Sequence, residues 1–181
     1  MDALPITQIL QNAKIAYEAD EFEQAAQWYD QAAAHYTQQN DTLNAAEMIN
    51  NRSVSLLRAG SPQLALQIVQ GTEIVFAQAG DRKRQAVALG NQAAANDALH
   101  RTDEAIRLYQ QSNELLKQID EPGLRLFVLQ SLSGLYLKRS RYLEALAAMD
   151  VALEIKQHLS LREKILRKLL QVVFRMMGRN I

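Results

Sequence analysis

Residues 103–109 read Asp103-Glu104-Ala105-Ile106-Arg107-Leu108-Tyr109, and related stretches recur at steps of 40 residues. Shifting the sequence by 40 aligns four alanines, each followed by another apolar residue: Ala25, Ala65, Ala105 and Ala145. The same shift aligns small residues in the preceding segments: Ala13, Ser53, Ala93 and Ser133. Small residues on two antiparallel helices let their axes approach closely. The pattern therefore predicts four helical hairpins that stack, because a single hairpin cannot bury its own faces.

The composition favours helix throughout the chain. Glycine and proline are scarce, at 7 and 3 residues, and no segment has the alternating pattern of a strand. Pro62 and Pro122 are predicted to lie in the first turns of helices, and Ser160 to Glu163 has the pattern of a capping box. The predicted helices span about 6–19, 22–38, 42–59, 62–78, 82–99, 102–118, 122–139, 142–157 and 161–177.

Length and residue types exclude several classes of protein. The 181 residues contain no cysteine, which excludes disulfides, thiol nucleophiles and thiolate metal sites. No run approaches the ~20 apolar residues of a membrane-spanning helix, and the first residues lack a secretion signal, so we expect a soluble cytoplasmic protein. The three histidines fall in separate predicted hairpins, without metal-ligand spacing. We therefore expect no catalytic, cofactor or metal site and no enzyme activity.

Two stretches resemble a known repeat. Residues 45–53 and 103–109 are similar to the first and second helices of the tetratricopeptide repeat (TPR). The 40-residue period is similar to the longer form found in kinesin light chains and in bacterial peptide-sensing regulators. The resemblance implies an all-α fold, a right-handed solenoid closed by a capping helix, as a single domain over 1–181. Its expected parts are repeats at about 6–40, 41–80, 81–120 and 121–158, and a capping helix at 161–177.

The resemblance also implies a function. TPR-like proteins hold an extended peptide or a helix in a concave groove lined by their first helices, so we expect a non-catalytic scaffold or adaptor that binds a protein or peptide. Helical spacing then names the residues that share this face. The predicted groove residues are Gln11, Lys14, Tyr17, Asn50, Asn51, Val54, Leu57, Arg58, Val87, Asn91, Ala94, Phe127, Gln130, Ser131, Leu137 and Lys138.

One column of the groove is polar in every repeat, at Gln11, Asn51, Asn91 and Ser131. Amides carry both a donor and an acceptor, so such a row could bond the backbone of an extended ligand. The alternative is that these side chains cap or bridge neighbouring helices. The bulky apolar groove residues have two interpretations as well, ligand contact and core packing.

The last predicted helix is amphipathic. We expect Leu166, Leu169, Leu170 and Val173 to pack on the fourth repeat. The remaining apolar residues are candidates for a dimer or partner contact: Val172, Phe174, Met176 and Met177. A second interpretation is a peripheral membrane or RNA-associated assembly factor, which would use the basic side of this helix and the patches at 82–84 and 138–141.

The balanced total of 20 basic and 20 acidic residues conceals an uneven distribution. Residues 1–50 hold eight acidic side chains and one basic one, whereas residues 161–181 hold six basic side chains and one acidic one. In an elongated molecule this difference would steer partners or favour head-to-tail contacts between copies, and the second of these would give a homo-oligomer. The alternative is that both ends are simply solvated.

Overall fold

A computed structural model describes residues 4–176, and these residues form ten α-helices and no β-strand. In chain order the helices are α1 (Ile6–Glu18), α2 (Phe22–Gln38), α3 (Thr42–Arg58), α4 (Pro62–Val69), α5 (Thr72–Gln78), α6 (Arg82–Ala98), α7 (Thr102–Gln118), α8 (Pro122–Lys138), α9 (Tyr142–Ile155) and α10 (Leu161–Met176).

The helices form four antiparallel hairpins. Their first helices are α1, α3, α6 and α8, and their second helices are α2, α4 with α5, α7 and α9. Each hairpin packs on the next, and α10 packs on α9. The predicted fold class is confirmed: the chain is an all-α, TPR-like right-handed solenoid with a C-terminal helix.

A left-handed residue ends a helix every 20 residues. The seven residues have φ between 53° and 77°, and they are Asp20, Asn40, Gly60, Gly80, His100, Asp120 and Ser140. The N–H that follows each of them bonds the carbonyl five residues earlier, as from Glu21 to Ala16 at 2.9 Å and from Arg141 to Tyr136 at 2.8 Å. This arrangement closes the last helical turn and reverses the chain.

The repeat alanines lie where helices cross. Ala65 and Ala105 are fully buried. At two crossings a serine of the first helix also donates a hydrogen bond to the carbonyl of the repeat alanine, from Ser53 to Ala65 at 2.9 Å and from Ser133 to Ala145 at 3.0 Å. The crossing is therefore both closely packed and hydrogen-bonded.

The predicted helix 62–78 is wrong, because the structure divides it into α4 and α5. Gln70 is extended, and Gly71 has φ 90°, a conformation that favours glycine. The Glu73 carboxylate accepts a hydrogen bond from the Gly71 N–H at 2.9 Å and another from the Gln92 side chain of α6. Phe76 remains fully buried beyond the break, so the 40-residue period is preserved.

The capping box at the start of α10 is confirmed. The Ser160 N–H donates to the Glu163 carboxylate at 2.9 Å, and the Glu163 N–H donates to the Ser160 hydroxyl at 3.4 Å. The Lys156 ammonium, with these Ser160 groups, lowers the pKa of Glu163 to about 2. Pro62 and Pro122 begin α4 and α8, as predicted.

The packed side of α10 differs from the prediction. Leu166, Leu170 and Phe174 contact α9 residues, with Phe174 only 2 % exposed. The prediction that Phe174 contacts a partner is therefore wrong, because its ring packs against α9 within the chain. Leu169 and Val173, expected to pack, are exposed, since the helix is rotated toward the Leu166 side. Met177 lies outside the described residues.

Enlarging a repeat alanine should destabilise the solenoid. We expect Ala65→Leu and Ala105→Leu each to lower the free energy of unfolding by roughly 1–3 kcal/mol, because each crossing has no room for a larger side chain. Denaturant unfolding measures this, with the exposed Ala34→Leu in α2 as the control. Equal stability of all three variants would contradict the close crossing.

Opposite changes at two left-handed positions should have opposite effects. His100→Gly should raise the free energy of unfolding by roughly 0.5–1 kcal/mol, because it removes the steric cost of a left-handed histidine. Gly60→Ala should lower it by a similar amount. Thermal and denaturant unfolding would show the two signs, and a shared sign would argue against the turn geometry.

Candidate functional site

The candidate site is the first-helix face, meaning the side of α1, α3, α6 and α8 that holds the predicted groove residues. Eight of these residues are exposed: Gln11, Lys14, Arg58, Val87, Phe127, Gln130, Leu137 and Lys138. Seven are half-buried: Tyr17, Asn51, Val54, Leu57, Asn91, Ala94 and Ser131. Asn50 alone among the sixteen is buried.

Asn50 joins two first helices instead of facing a ligand. Its side-chain amide donates to the Ala46 carbonyl at 2.9 Å, and its oxygen accepts from the Asn91 amide at 3.0 Å. Both Asn50 side-chain atoms are thereby used inside the protein. The prediction of Asn50 as an open groove residue is wrong, because α3 is rotated so that this position faces α6.

Ion pairs join the first helices of neighbouring hairpins, from α3 to α6 and from α6 to α8. The Arg84 guanidinium lies 3.0 Å from the Glu47 carboxylate, and the Lys138 ammonium lies 2.8 Å and 3.0 Å from the two Asp97 oxygens. The pKa of Asp81 is lowered. The main cause is the hydrogen bond that the Arg84 backbone N–H donates to the Asp81 carboxylate, and the Arg84 side chain adds to it. These contacts align neighbouring first helices, so Lys138 is not an unpaired groove cation.

The N-terminal part of the face is held by an aromatic and charged cluster. The Tyr17 and Phe22 rings meet edge to face with centroids 5.4 Å apart. The Arg58 guanidinium lies 4.5 Å from the Phe22 centroid and 3.6 Å from an Asp20 oxygen. Arg58 therefore contributes a cation–π contact within the protein, and Lys14, paired with Glu18 at 3.7 Å, is left near the solvent.

The C-terminal part of the face is apolar and open. Phe127 is 61 % exposed and Leu137 is 48 % exposed, and both lie on α8. A Cβ built on Gly134 would meet no atom within 4 Å, so the surface between these side chains is unobstructed. An exposed aromatic ring and an exposed leucine on one helix face form a patch suited to an apolar partner.

A pocket of about 380 Å³ adjoins this patch. Sequence analysis found the contribution of α8, and it missed the walls supplied by α9 and α10. The pocket residues are Leu126, Gln130, Ser133, Gly134, Leu137, Met149, Ala152, Leu153, Lys156, Glu163 and Leu166. The ion pair between Lys156 and Glu163, at 2.7 Å, places charge beside an otherwise mainly apolar cavity.

The polar column does not contain four equivalent side chains. The Gln11 and Asn51 side chains make no hydrogen bond within the described part of the chain, whereas Asn91 is bonded to Asn50. The Ser131 hydroxyl donates to the Phe127 carbonyl of its own helix at 3.1 Å. The bridging interpretation is therefore confirmed at Asn91. The ligand-binding interpretation stays a prediction at Gln11 and Asn51.

The two basic patches are largely neutralised. Lys83 pairs with Glu121 across 2.7 Å, and Arg139 pairs with Asp103 across 2.5 Å. Five of the six cations in these patches have such acidic partners: Lys83, Arg84, Lys138, Arg139 and Arg141. Paired cations offer less charge to a phosphate backbone than unpaired ones would.

One buried acid faces the C-terminal helix. Burial raises the pKa of Asp150, the nearby Arg167 opposes this shift, and Glu154 adds to it. One Asp150 oxygen and the Arg167 Nε are buried without a hydrogen-bond partner among the described residues.

Within residues 4–176 no cluster of three or more acidic or histidine side chains could hold a metal ion. No helix in the same range is long and apolar enough to cross a membrane.

The fold is that of TPR-like helical repeat proteins. BtubC (BKLC) from P. vanneervenii has a similar structure, with a TM-score of 0.75 and 18 % identity over 96 % of this chain and 73 % of that one. A Podosopora anserina kinesin light chain with nearly identical TPR-like repeats is also similar, with a TM-score of 0.72 and 12 % identity over 98 % of this chain and all of that one. No protein-family model and no curated protein matches the sequence.

The asparagine bridge should be structural and the neighbouring amide should not. We expect Asn50→Ala and Asn91→Ala each to lower the free energy of unfolding by about 1 kcal/mol, because each change leaves a polar group of its partner without its bond. Asn51→Ala, the matched control, should stay within about 0.5 kcal/mol of the wild type.

Denaturant unfolding of the single variants and of the Asn50/Asn91 double variant provides the measurement. The double variant should lose less than the sum of the single losses, because the two residues share one bond. Additive losses, or a loss at Asn51 as large as that at Asn91, would contradict the bridge.

Proposed function

We propose that this protein is a non-catalytic scaffold or adaptor that binds a peptide or helix of another protein along the first-helix face. Proteins with TPR-like repeats generally mediate protein–protein interactions, which supports the general class. The observation that carries the specific proposal is the apolar patch of Phe127 and Leu137 beside the pocket of about 380 Å³. We further propose a cytoplasmic protein whose four repeats and capping helix act as one domain.

The patch suits an apolar anchor on the ligand. Phe127, Gln130, Gly134 and Leu137 follow one another along a single face of α8, at helical steps of three or four residues. A ligand segment along this face would cover two apolar side chains and insert one of its own into the pocket below Gly134. Gln130 is exposed at the pocket rim and supplies an amide for the ligand backbone.

The polar part of the face supports the other end of the ligand. The Gln11 and Asn51 amides make no hydrogen bond to the described part of the chain, and Lys14 is largely exposed. An extended peptide could bond these amides through its backbone, whatever its side chains are. The proposed ligand thus has an apolar segment over α8 and a polar, sequence-tolerant segment over α1 and α3.

A library of displayed peptides, selected on the wild-type protein, tests this function. We expect Leu137→Glu to weaken the selected peptides by at least about tenfold, because it replaces an apolar side chain of the patch and of the pocket with a charge. Ile74→Glu is the matched control, since Ile74 is similarly exposed but lies on the second helix α5.

The affinities of the selected peptides for the two variants show whether the binding surface includes Leu137. Peptides that bind Leu137→Glu as tightly as the wild type, or that lose affinity only for Ile74→Glu, would place the binding surface elsewhere. Circular dichroism of each variant checks that the helices are retained. A wild-type selection that enriches no peptide would count against the scaffold itself.

A further inference from the structure

The side of α10 that faces away from the repeats is an exposed apolar strip. We call it the tail strip, and its residues are Leu161, Ile165, Leu169, Val172 and Met176. All five are more than half exposed, and helical spacing places them within one narrow arc. The neighbouring arc holds the residues that pack on α9, so the strip is additional to the capping contact.

The repeat period shows what these positions normally contact. Leu129, Leu132 and Tyr136 of α8 lie 40 residues before Leu169, Val172 and Met176, and all three are buried in the helical core. Leu169, Val172 and Met176 therefore occupy repeat positions that other helices cover in α8. Among the described residues, no helix covers it in α10.

The opposite end of the solenoid has a complementary defect. Ile15 of α1 is 55 % exposed, whereas the residues at the same position of the later repeats, Ser55, Ala95 and Leu135, are buried. Ala95 belongs to a cluster with Ala65 and Leu66 of the preceding hairpin, so this position contacts the neighbour on the N-terminal side. Ile15 is therefore the exposed apolar side chain at this end of the solenoid, and we call the surface around it the head patch.

Charge distinguishes a head-to-tail contact from a contact between identical ends. Residues 4–40 contain five acidic side chains and one basic one, and α10 contains five basic side chains and one acidic one. Within the described range, Glu21 and Glu23 at the head and Lys164, Lys168 and Arg175 at the tail have no ion-pair partner. Two tails would repel each other, whereas head and tail attract.

We propose that the tail strip of one copy docks on the head patch of a second copy, so that the protein assembles head to tail. The contact joins different surfaces, so it leaves a free head and a free tail on every assembly and permits chains longer than a dimer. The apolar head patch is small, so charge attraction supplies much of the contact, which salt should weaken. This inference does not depend on the proposed peptide binding.

Two single variants, each defective at one end, test the arrangement. Ile165→Glu alters only the tail, and Ile15→Glu alters only the head, both at exposed positions. At about 0.05 M salt, charges are screened less than at the higher salt of the comparison. There the wild type should sediment as species with at least twice the 20.4 kDa mass of the monomer. Each variant alone should be monomeric, and an equal mixture should form a dimer and nothing larger.

Other results would overturn the proposal. A tail variant that is monomeric together with a head variant that still dimerises would indicate a tail-to-tail contact. A monomeric wild type at low salt, or association unchanged at about 0.5 M salt, would also contradict it. Flotation of the wild type with phosphatidylserine vesicles, lost in Ile165→Glu, would assign the strip to a membrane. Ile74→Glu serves as the exposed control and should assemble like the wild type.

Discussion

A left-handed turn at every twentieth residue is the constraint on which the solenoid depends. Each of these turns closes one helix, and the next helix begins two residues later, as at Asp20 before Phe22 and His100 before Thr102. Because the steps are equal, every hairpin has nearly the same length and the buried alanines meet at equivalent crossings. Only Gly60 and Gly80 adopt this conformation without the steric cost of a side chain, so the stacked packing must stabilise the other five turns.

Sequence analysis could predict this architecture because repetition multiplies a weak signal. One alanine such as Ala105 says little, but four alanines at equal spacing identify the crossings that the structure shows. The capping box at Ser160 was equally predictable, since both of its hydrogen bonds join residues three positions apart. The break at Gly71 was not, because it depends on Glu73 accepting bonds from two sides, one of them from a helix about twenty residues away.

The candidate site was only partly predictable for a related reason. Helical spacing identifies which residues of α3 share a face, but not the rotation of that face about the helix axis. Asn50 and Asn51 are adjacent, yet Asn50 is buried in a bridge to Asn91, whereas the half-buried Asn51 side chain makes no hydrogen bond within residues 4–176. Likewise, the apolar pattern of α10 fits several rotations, and contacts with α9 select the one that buries Phe174. The pocket walls from α9 and α10 come from tertiary packing, which no single helix pattern contains.

The zero net charge results from two different arrangements. In the middle of the chain, acidic and basic side chains face each other across neighbouring repeats, as Arg84 faces Glu47 and Lys138 faces Asp97. These partly exposed pairs contribute little stability individually, but they align the first helices and leave the apolar patch on α8 as the distinctive feature of that face. At the two ends of the described range several charged side chains have no ion-pair partner among residues 4–176, so acidic charge remains at the head and basic charge at the tail. Pairing between repeats therefore neutralises the side chains in the middle of the described solenoid and leaves its two ends with opposite charge.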